Sequence, residues 1–343
     1  MLLSARDLHV EFPGRWGGAP ARAVDGVDLD VPAGSIVALV GESGCGKSTL
    51  VRTLLGLEKP SRGEVLFENA PVRARDLKAY RRQVQLVLQD PTGALNPRHT
   101  VYEAVAEGLR IHGKAALRGR DERALVAEAL SRAGLRPPDR FFPRYPHELS
   151  GGQRQRVVIA GALVLEPRLL VADEPVASLD ASVRGEILKL LLRLRADEGL
   201  SALVVTHDLG LAWNIADRVA VMYLGRIVEA GPVEELLGEP RHPYTRALLS
   251  VLPESTLDEA VVLADEPPDP TRIPSGCRFH PRCPVLRSGA AAGAGVDGAC
   301  RTRDLPVVRD DGVACHYVAA APAGASAIES NYANTARFSG WNV

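Results

Sequence analysis

A glycine-rich segment near the N-terminus has residue types and a spacing that suit the binding of phosphate groups. Residues 41–49 read Gly-Glu-Ser-Gly-Cys-Gly-Lys-Ser-Thr and match the pattern G-x-x-x-x-G-K-S/T. In this pattern backbone N–H groups and the lysine hold the phosphates, while the Ser48 hydroxyl ligates Mg²⁺. The segment lies between the apolar run 36–40 and a helix-compatible run, 49–57, which argues against a chance glycine-rich turn. The predicted nucleotide contacts are Gly41, Ser43, Gly44, Cys45, Gly46, Lys47, Ser48 and Thr49.

Two adjacent carboxylates end a second apolar run, residues 169–172. In a parallel sheet the carboxyl ends of the strands meet at the edge where ligands bind. Asp173 is therefore predicted to reach the Mg²⁺, and Glu174 to polarise the water that attacks the terminal phosphate. An ordinary pair of surface acids is the alternative, and a phosphate-binding segment in the same chain disfavours it.

Strand-like and helix-like patterns alternate through the first 240 residues. Alternating apolar and polar residues predict half-exposed antiparallel strands, and continuous apolar runs predict strands buried on both faces. Strands that alternate with helices imply an α/β domain with a parallel sheet. The predicted strands are residues 8–12, 27–31, 36–40, 169–172, 202–205, 218–223 and 226–229, and the helical regions are 101–135 and 183–197.

Composition and charge exclude several classes of protein. The formal net charge is -1, whereas a nucleic-acid binder would show a strong basic excess. The most apolar run, 157–172, is interrupted by Glu166-Pro167-Arg168 and is too short to span a bilayer. The N-terminus has no signal-peptide pattern. The sequence predicts a cytoplasmic chain whose membrane role, if it has one, comes through a partner.

Residues 149–153, Leu-Ser-Gly-Gly-Gln, resemble the signature motif of ABC ATPases and lie shortly before the Asp173 strand, as in that family. The resemblance implies an α/β P-loop NTPase fold with an N-terminal antiparallel β-subdomain and a helical subdomain. It also implies a head-to-tail dimer, because in this family the motif caps the ATP bound to the opposite subunit. A chance Ser-Gly-Gly linker is the alternative. The signature residues are Ser150, Gly151, Gly152 and Gln153.

Three further elements of the family are present, in the order along the chain that the family shows. Gln89 resembles the Q-loop glutamine, which senses Mg²⁺ and contacts the transmembrane partner. Residues 178–180, Ser-Leu-Asp, look like the D-loop at the dimer seam, with Asp180 near the nucleotide. His207 resembles the switch histidine that contacts the terminal phosphate. In isolation, His207 would read as a core histidine and Gln89 as a surface glutamine.

The adenine end of the site has two candidates. Phe12 is similar to the aromatic residue that stacks on adenine in ABC ATPases, and Trp16 competes for that role. The resemblance thus implies an ATP site that lacks only the signature motif of a second subunit. Its catalytic residues would be Glu174, His207 and Gln89, and its magnesium ligands Ser48, Gln89 and Asp173.

Four of the five cysteines lie in the last quarter of the chain: Cys277, Cys283, Cys300 and Cys315. In a reducing cytosol such a group indicates a metal or cluster site rather than disulfides. The first two are spaced more widely than the C-x₂₋₄-C pairs of zinc sites, so a four-cysteine iron–sulfur cluster fits better. Zinc, with His280 or His316 as a further ligand, and no metal are the alternatives.

The cysteine-rich region resembles the C-terminal extension of oligopeptide/dipeptide importer ATPases. The resemblance rests on residues 276–284, Cys300, Cys315-His316 and the element His242-Pro-Tyr-Thr245. It implies a 4Fe–4S cluster, a second ATPase subunit, two permease subunits, an extracytoplasmic substrate-binding protein and a position at the cytoplasmic face of the membrane. The expected regions are an ATPase domain, 1–240, with a helical subdomain at about 93–160; a small, irregular extension, 241–317, with a low-complexity loop at 290–295; and a flexible tail, 318–343.

The leading functional hypothesis is an ATP-hydrolysing subunit that powers the import of peptides or related small solutes. A soluble ABC-type ATPase acting on nucleic acid or ribosomes is the alternative, but the chain has one cassette, no heptad run and no basic excess. A regulator that binds ATP without hydrolysis is disfavoured by the presence of Glu174 and His207. The cargo is not readable from this chain, because the ATPase of an importer does not touch it.

Overall fold

The computed structural model describes residues 1–14, 18–177, 179–251, 263, 266 and 268–320. The strands are β1 (Leu3–Phe12), β2 (Ala21–Val31), β3 (Ile36–Val40), β4 (Arg62–Phe67), β5 (Ala70–Pro71), β6 (Val84–Val87), β7 (Leu169–Asp173), β8 (Ser201–Thr206), β9 (Arg218–Tyr223), β10 (Arg226–Pro232) and β11 (Gly312–Val313). The helices are α1 (Lys47–Leu54), α2 (Leu77–Gln83), α3 (Pro91–Ala94), α4 (Val101–His112), α5 (Lys114–Leu117), α6 (Glu122–Arg132), α7 (Gly151–Leu163), α8 (Ala181–Glu198), α9 (Leu209–Ile215), α10 (Val233–Gly238), α11 (Pro243–Ser250), α12 (Pro284–Arg287), α13 (Ala290–Gly293), α14 (Asp297–Thr302) and α15 (His316–Ala320).

The central sheet has seven strands in the order β11-β10-β9-β3-β8-β7-β6. The five strands from β9 to β6 run parallel, and β10 and β11 extend the sheet antiparallel beyond β9. The prediction of an α/β domain with a parallel sheet is confirmed. Because β3, β8 and β7 are neighbours, the residues that follow Val40, Thr206 and Ala172 all emerge at the same edge.

A second sheet, in the order β2-β1-β4-β5, is antiparallel throughout. It is the predicted N-terminal β-subdomain. Strands β4 and β5 were not predicted, because β4 begins with exposed residues at 62–64 and carries only a short buried stretch. Strand β6, at the far edge of the central sheet, was also not predicted.

The central sheet separates two hydrophobic cores, and β3 contributes to both of them. Ile36, Ala38 and Val40 pack into the core on the helical side, which includes residues of α4, α6, α7 and α8. Val37 and Leu39 pack into the core shared with the antiparallel sheet and α1. All five side chains are buried, which confirms the prediction of a strand covered on both faces.

The predicted helical region 101–135 consists of three helices, α4, α5 and α6. Thr100 and Glu103 form a capping box that starts α4: the Glu103 N–H donates to Thr100 Oγ1 and the Thr100 N–H to Glu103 Oε2. Asp121 starts α6 by accepting from the Ala124 N–H at 3.0 Å. Helices α4 and α6 both pack against α7, so this subdomain positions the start of α7.

The C-terminal extension consists of short helices around a cysteine-lined cavity. The low-complexity stretch predicted as a loop forms α13 instead, because Ala291 is buried against that cavity and a small side chain fits there. Residues 318–320 of the predicted tail belong to α15, and residues 321–343 lie outside the described residues. Among the described residues, no helix combines the length and the apolar character that a bilayer crossing requires.

Tyr80 on α2 ties this unpredicted helix to the last residue of α1. Its buried hydroxyl donates to the Leu54 carbonyl at 2.6 Å. Tyr80→Phe leaves that carbonyl without its partner and should lower the free energy of unfolding by about 1–2 kcal/mol in denaturant titration. Tyr102→Phe is the matched control: its hydroxyl donates to the part-exposed Glu122, where water can replace it. Equal effects of the two changes would contradict the prediction.

Candidate nucleotide site and cysteine site

The phosphate-binding segment connects β3 to α1 and passes very close to two other backbones. Gly46 has φ +108°, and a Cβ there would lie 2.1 Å from the Ala23 carbonyl oxygen. A Cβ on Gly41 would lie 2.2 Å from the Met222 carbonyl oxygen. Only glycine fits at both positions, since any side chain would displace backbone atoms. The segment is therefore held between β2 on one side and the end of β9 on the other.

The same segment presents unused hydrogen-bond donors. Among the described residues, none accepts a hydrogen bond from the backbone N–H groups of Ser48 and Thr49 in the first turn of α1. The Lys47 ammonium group is buried and donates to the carbonyl oxygens of Gly41 (2.7 Å) and Glu42 (2.9 Å). Donors at a helix N-terminus beside a buried ammonium fit the phosphates of a nucleotide. The Ser48 hydroxyl, in the same turn, fits the predicted magnesium ligand.

Asp173 and Glu174 emerge at the edge of the sheet that carries this segment. Burial raises the pKa of Asp173 and the neighbouring Glu174 raises it further, while Lys47 opposes both. Glu174 has φ +49°, an uncommon backbone conformation for a non-glycine residue, and its N–H donates to the Val205 carbonyl. A part-buried carboxylate next to a second carboxylate suits a cation, because a metal ion would stabilise its charged form.

His207 follows β8 and contacts Glu174 directly. Its Nδ1 lies 2.7 Å from Glu174 Oε1, and its backbone N–H donates to the same oxygen at 3.1 Å. The His207 side chain is 66% exposed, whereas that of Glu174 is only 14% exposed. The pair therefore joins a sheltered carboxylate to an accessible imidazole.

Gln89 and Phe12 lie at the surface around this edge. Gln89 follows β6, whose Val87 pairs with Ala172 of β7, so the glutamine emerges beside the Asp173 strand end. Phe12 is the last residue of β1 and is 38% exposed, which leaves one face of its ring accessible. Trp16, the competing candidate for the adenine contact, lies outside the described residues.

The signature residues lie at the start of α7, far from the phosphate-binding segment in sequence. Two of them form hydrogen bonds with each other. Ser150 caps α7: the Gln153 N–H donates to Ser150 Oγ at 3.2 Å, and the Ser150 N–H donates to Gln153 Oε1 at 3.1 Å. Gly151 and Gly152 face Leu179 and Val183, at the start of α8. Asp180, the N-cap of α8, is exposed and its side chain makes no capping hydrogen bond. Ser178 lies outside the described residues.

The predicted site residues thus form two groups. Lys47, Asp173, Glu174 and His207 converge at the carboxyl edge of the parallel sheet. Ser150–Gln153 and Asp180 form a second group where α7 and α8 begin, and among the described residues no hydrogen bond links it to the phosphate-binding segment. A single chain therefore presents two exposed surfaces that could each hold part of a nucleotide.

The four cysteines of the extension surround one cavity. Cys277, Cys283, Cys300 and Cys315 are all less than 10% exposed, and none forms a disulfide. They line a cavity of about 10 Å³ together with other side chains, which include His280 and His316. Burial raises the pKa of Cys277 to about 12 and that of Cys315 to about 11, and the other thiols of the group raise both further. The thiols are neutral until a bound cation stabilises their thiolates.

Thiols are the main metal-binding groups around the cavity. Within the described part of the chain, no group of three or more His, Cys, Asp or Glu side chains is arranged to hold a metal ion. His280 Nδ1 lies 3.0 Å from the Cys277 carbonyl oxygen, and His316 Nε2 lies 2.7 Å from that of Arg303. Four thiolates around a shared space are a donor set that either one Zn²⁺ or a 4Fe–4S cluster uses.

Two contacts to the phosphate-binding segment were not predicted from the sequence. The Glu42 N–H donates to the Tyr244 hydroxyl, and the Glu42 carboxylate accepts from Arg282. The His-Pro-Tyr element was noted as part of the extension, which was a usable signal for Tyr244. Arg282 had no such signal, because nothing in its local sequence indicates a partner 240 residues away.

Two protein families match the chain in order. Residues 24–177 match the family described as ABC transporter, and residues 228–289 match the oligopeptide/dipeptide transporter C-terminal region. Solved structures are similar to this chain in sequence and fold, as two examples show. An ATP-binding cassette dimer in a post-hydrolysis state with ADP and Pi is 31% identical, with TM-score 0.59, covering 67% of this chain and 98% of that one. The cbiO1 subunit of Clostridium perfringens is 33% identical, with TM-score 0.61, covering 69% and 91%.

Curated relatives extend the similarity into the C-terminal extension. The oligopeptide transport ATP-binding protein AppF of Bacillus subtilis (strain 168) is 43% identical over 300 residues, covering 83% of this chain and 90% of that protein. The dipeptide transport ATP-binding protein DppF of Escherichia coli (strain K12) is 43% identical over 292 residues, covering 82% and 86%. With this identity over most of its length, the chain belongs to the ATP-binding proteins of ABC transporters, in the oligopeptide/dipeptide transporter family.

Proposed function

We propose that this chain hydrolyses ATP to power the import of peptides across the cytoplasmic membrane. The observation that carries the proposal is the convergence of Lys47, Asp173, Glu174 and His207 at one sheet edge. The similarity to oligopeptide and dipeptide transport ATP-binding proteins supports the peptide cargo, and it favours transport over action on nucleic acid or ribosomes.

The chemistry assigned to the site is positioning and charge stabilisation of the terminal phosphoryl group. Lys47 and the N–H groups that begin α1 hold the phosphates. Among the described residues only His207 hydrogen-bonds to the Glu174 carboxylate, through Oε1, so Oε2 is left to take a proton from the attacking water. His207 orients this carboxylate and contacts the terminal phosphate. Mg²⁺, ligated by Ser48, Asp173 and Gln89, would offset the phosphate charge.

The complete site needs two subunits. Among the described residues, none accepts a hydrogen bond from the Gly151 and Gly152 N–H groups at the start of α7, a helix of 13 residues whose N-terminus attracts an anion. In a head-to-tail dimer this N-terminus and Asp180 would close over the ATP held by the partner subunit. In this proposal the second subunit is a different ABC ATPase, so that the functional unit is a heterodimer.

The remaining partners follow from the transport role. Two permease subunits hold the chain at the cytoplasmic face of the membrane, and an extracytoplasmic binding protein delivers the cargo. Gln89, exposed at the sheet edge, connects the nucleotide site to the permeases. We assign residues 1–240 to the ATPase domain, about 93–160 to its helical subdomain and 241–317 to the extension.

The cysteine site holds a 4Fe–4S cluster in this proposal. Four buried thiols around one cavity support it. A bound cluster would cross-link the segments around Cys277–Cys283, Cys300 and Cys315, which all line the cavity. Its role is therefore structural, since the cavity is separate from the residues assigned to hydrolysis.

Glu174→Gln should lower ATP turnover by at least about 100-fold, because the amide cannot take the proton of the attacking water. ATP affinity should stay unchanged, since the phosphate contacts remain. Turnover would be measured on the full-length chain with its ATPase partner, and affinity by calorimetry. Glu186→Gln, at an exposed pair with Arg156, is the control and should keep full turnover. Near-normal turnover of Glu174→Gln would refute the assignment of the base.

Gly151→Asp should abolish the ATP-dependent dimer while leaving ATP binding to the single chain intact. The added carboxylate would repel the phosphates held by the partner subunit. Gly151 suits this test better than Gly152, because its Cβ would meet only Leu179 at an ordinary 3.7 Å, whereas that of Gly152 would lie 2.6 Å from Val183.

The dimer test uses the Glu174→Gln background, in which ATP is not consumed, and measures mass by light scattering with and without ATP. Gly185→Asp is the control: it adds the same charge on α8, where a Cβ would meet nothing within 4 Å. A dimer that persists in Gly151→Asp would exclude a head-to-tail arrangement built on this motif.

The full-length chain purified without oxygen should be brown and contain iron and acid-labile sulfide in equal amounts. Cys300→Ser should lose most of both, because one iron loses its thiolate. Cys45→Ser, which changes the cysteine outside the extension, should keep the iron content of the parent. Stoichiometric zinc in a colourless parent protein would rule out the cluster.

A further inference from the structure

The C-terminal extension holds one residue of the phosphate-binding segment through two separate groups. The Glu42 backbone N–H donates to the Tyr244 hydroxyl at 2.9 Å. The Glu42 carboxylate accepts two hydrogen bonds from the Arg282 guanidinium, at 2.7 and 3.1 Å. Both the main chain and the side chain of Glu42 are therefore fixed by residues outside the matched ABC transporter region, 24–177.

These contacts are sheltered from water. Arg282 is 5% exposed, Tyr244 is fully buried, and the Glu42 side chain is 23% exposed. The Tyr244 ring packs on Tyr223 and Phe279 with ring centroids 4.7 and 5.3 Å apart. A bidentate arginine–carboxylate pair in such surroundings has a defined geometry, and loss of one partner leaves a buried charge uncompensated. This packing leaves the Tyr244 hydroxyl and the Arg282 guanidinium, the two groups that hold Glu42, little freedom to shift.

A second anchor lies on the other side of the segment. Buried Arg278 forms an ion pair with Asp25 of β2 and donates to the Leu224 carbonyl oxygen. The next residue, Gly225, donates its N–H to the Cys45 carbonyl oxygen at 2.8 Å. The extension therefore also supports the β9–β10 turn on which the middle of the phosphate-binding segment rests.

Glu42 connects these contacts to the phosphate-holding lysine. Lys47 Nζ donates to the Glu42 carbonyl oxygen at 2.9 Å, and to that of Gly41 at 2.7 Å. A shift of Glu42 would move the carbonyl groups that hold the ammonium group and would change the curvature of the segment between Gly41 and Gly46. Since the segment binds through backbone N–H groups, its affinity depends on that curvature.

We propose that Tyr244 and Arg282 are positioning residues for ATP: they preorganise the phosphate-binding segment by fixing Glu42 from the C-terminal extension. The two residues touch neither the nucleotide nor the reacting atoms. The extension thereby contributes to nucleotide binding, in addition to carrying the four cysteines. The inference rests on the proposed ATP site.

Tyr244→Phe removes only the hydroxyl that accepts from the Glu42 N–H, and Arg282→Gln removes the bidentate pair. Each should weaken ATP binding to the full-length chain about ten-fold, measured by calorimetry with Mg²⁺ present. Arg282→Lys, which keeps the charge, should bind with intermediate affinity. In a double-mutant cycle, Glu42→Gln with Arg282→Gln should bind no more weakly than either single change, because both remove the same contact.

Arg301→Gln is the matched control. Arg301 is also adjacent to a cysteine of the extension, but among the described residues its side chain pairs only with Asp297 on α14, at the surface. This variant should bind ATP like the parent. Iron or zinc content and melting temperature, measured on every variant, separate local repositioning from damage to the extension.

The outcomes distinguish the inference from the proposed function. ATP affinities of Tyr244→Phe and Arg282→Gln within roughly two-fold of the parent would overturn the positioning role. A loss of affinity that appears only together with a loss of metal would also overturn it, because the effect would then pass through the cysteine site. If Arg282→Gln does not fold, Tyr244→Phe decides the question by itself. A parent chain that fails to bind ATP would refute the proposed function instead.

Discussion

The close approach of the phosphate-binding segment to two foreign backbones is the constraint on which the rest of the structure depends. At Gly41 and Gly46 a single added carbon would lie about 2 Å from the carbonyl oxygens of Met222 and Ala23. This approach requires that β3 lie beside β9 in the parallel sheet, and that β2 of the antiparallel sheet cross over the segment. The two sheets therefore meet at the phosphate-binding segment, and both hydrophobic cores extend from it.

The same architecture divides the nucleotide site between two surfaces. The carboxyl edge of the sheet carries the groups that we propose hold and cleave the phosphates, because parallel neighbours end there together. The signature residues begin α7, which is fixed by packing against α4 and α6 on the helical side. Since packing fixes the start of α7 apart from the sheet edge, we propose that the signature motif acts on the ATP of a second subunit. ATP binding can then be converted into subunit movement, which is what a transport ATPase requires.

Much of the fold was predictable where an element is specified by interactions between residues that are close in sequence. The buried strands β3, β7 and β8 had continuous apolar runs, and the capped helices α4 and α6 had clear helical patterns. Strands β4 to β6 and helix α2 were missed because their segments are short. The β4 and α2 segments also contain charged residues, which obscure the apolar pattern. The segment that forms α13 was predicted as a loop. Nothing in its four small residues indicates that they pack over the cavity.

The sequence by itself determined the elements whose partners lie within one turn or one motif. The glycine–lysine spacing of residues 41–49 and the Ser150–Gln153 capping box are of this kind, because three or four residues suffice to specify the geometry. Only the tertiary structure decided which distant residues meet. Glu174 contacts His207, which lies 33 residues later, because β7 and β8 are neighbours. Glu42 contacts Arg282, which lies 240 residues later, because the extension folds back. Contacts of such separation depend on the order of strands in a sheet, which no local spacing encodes.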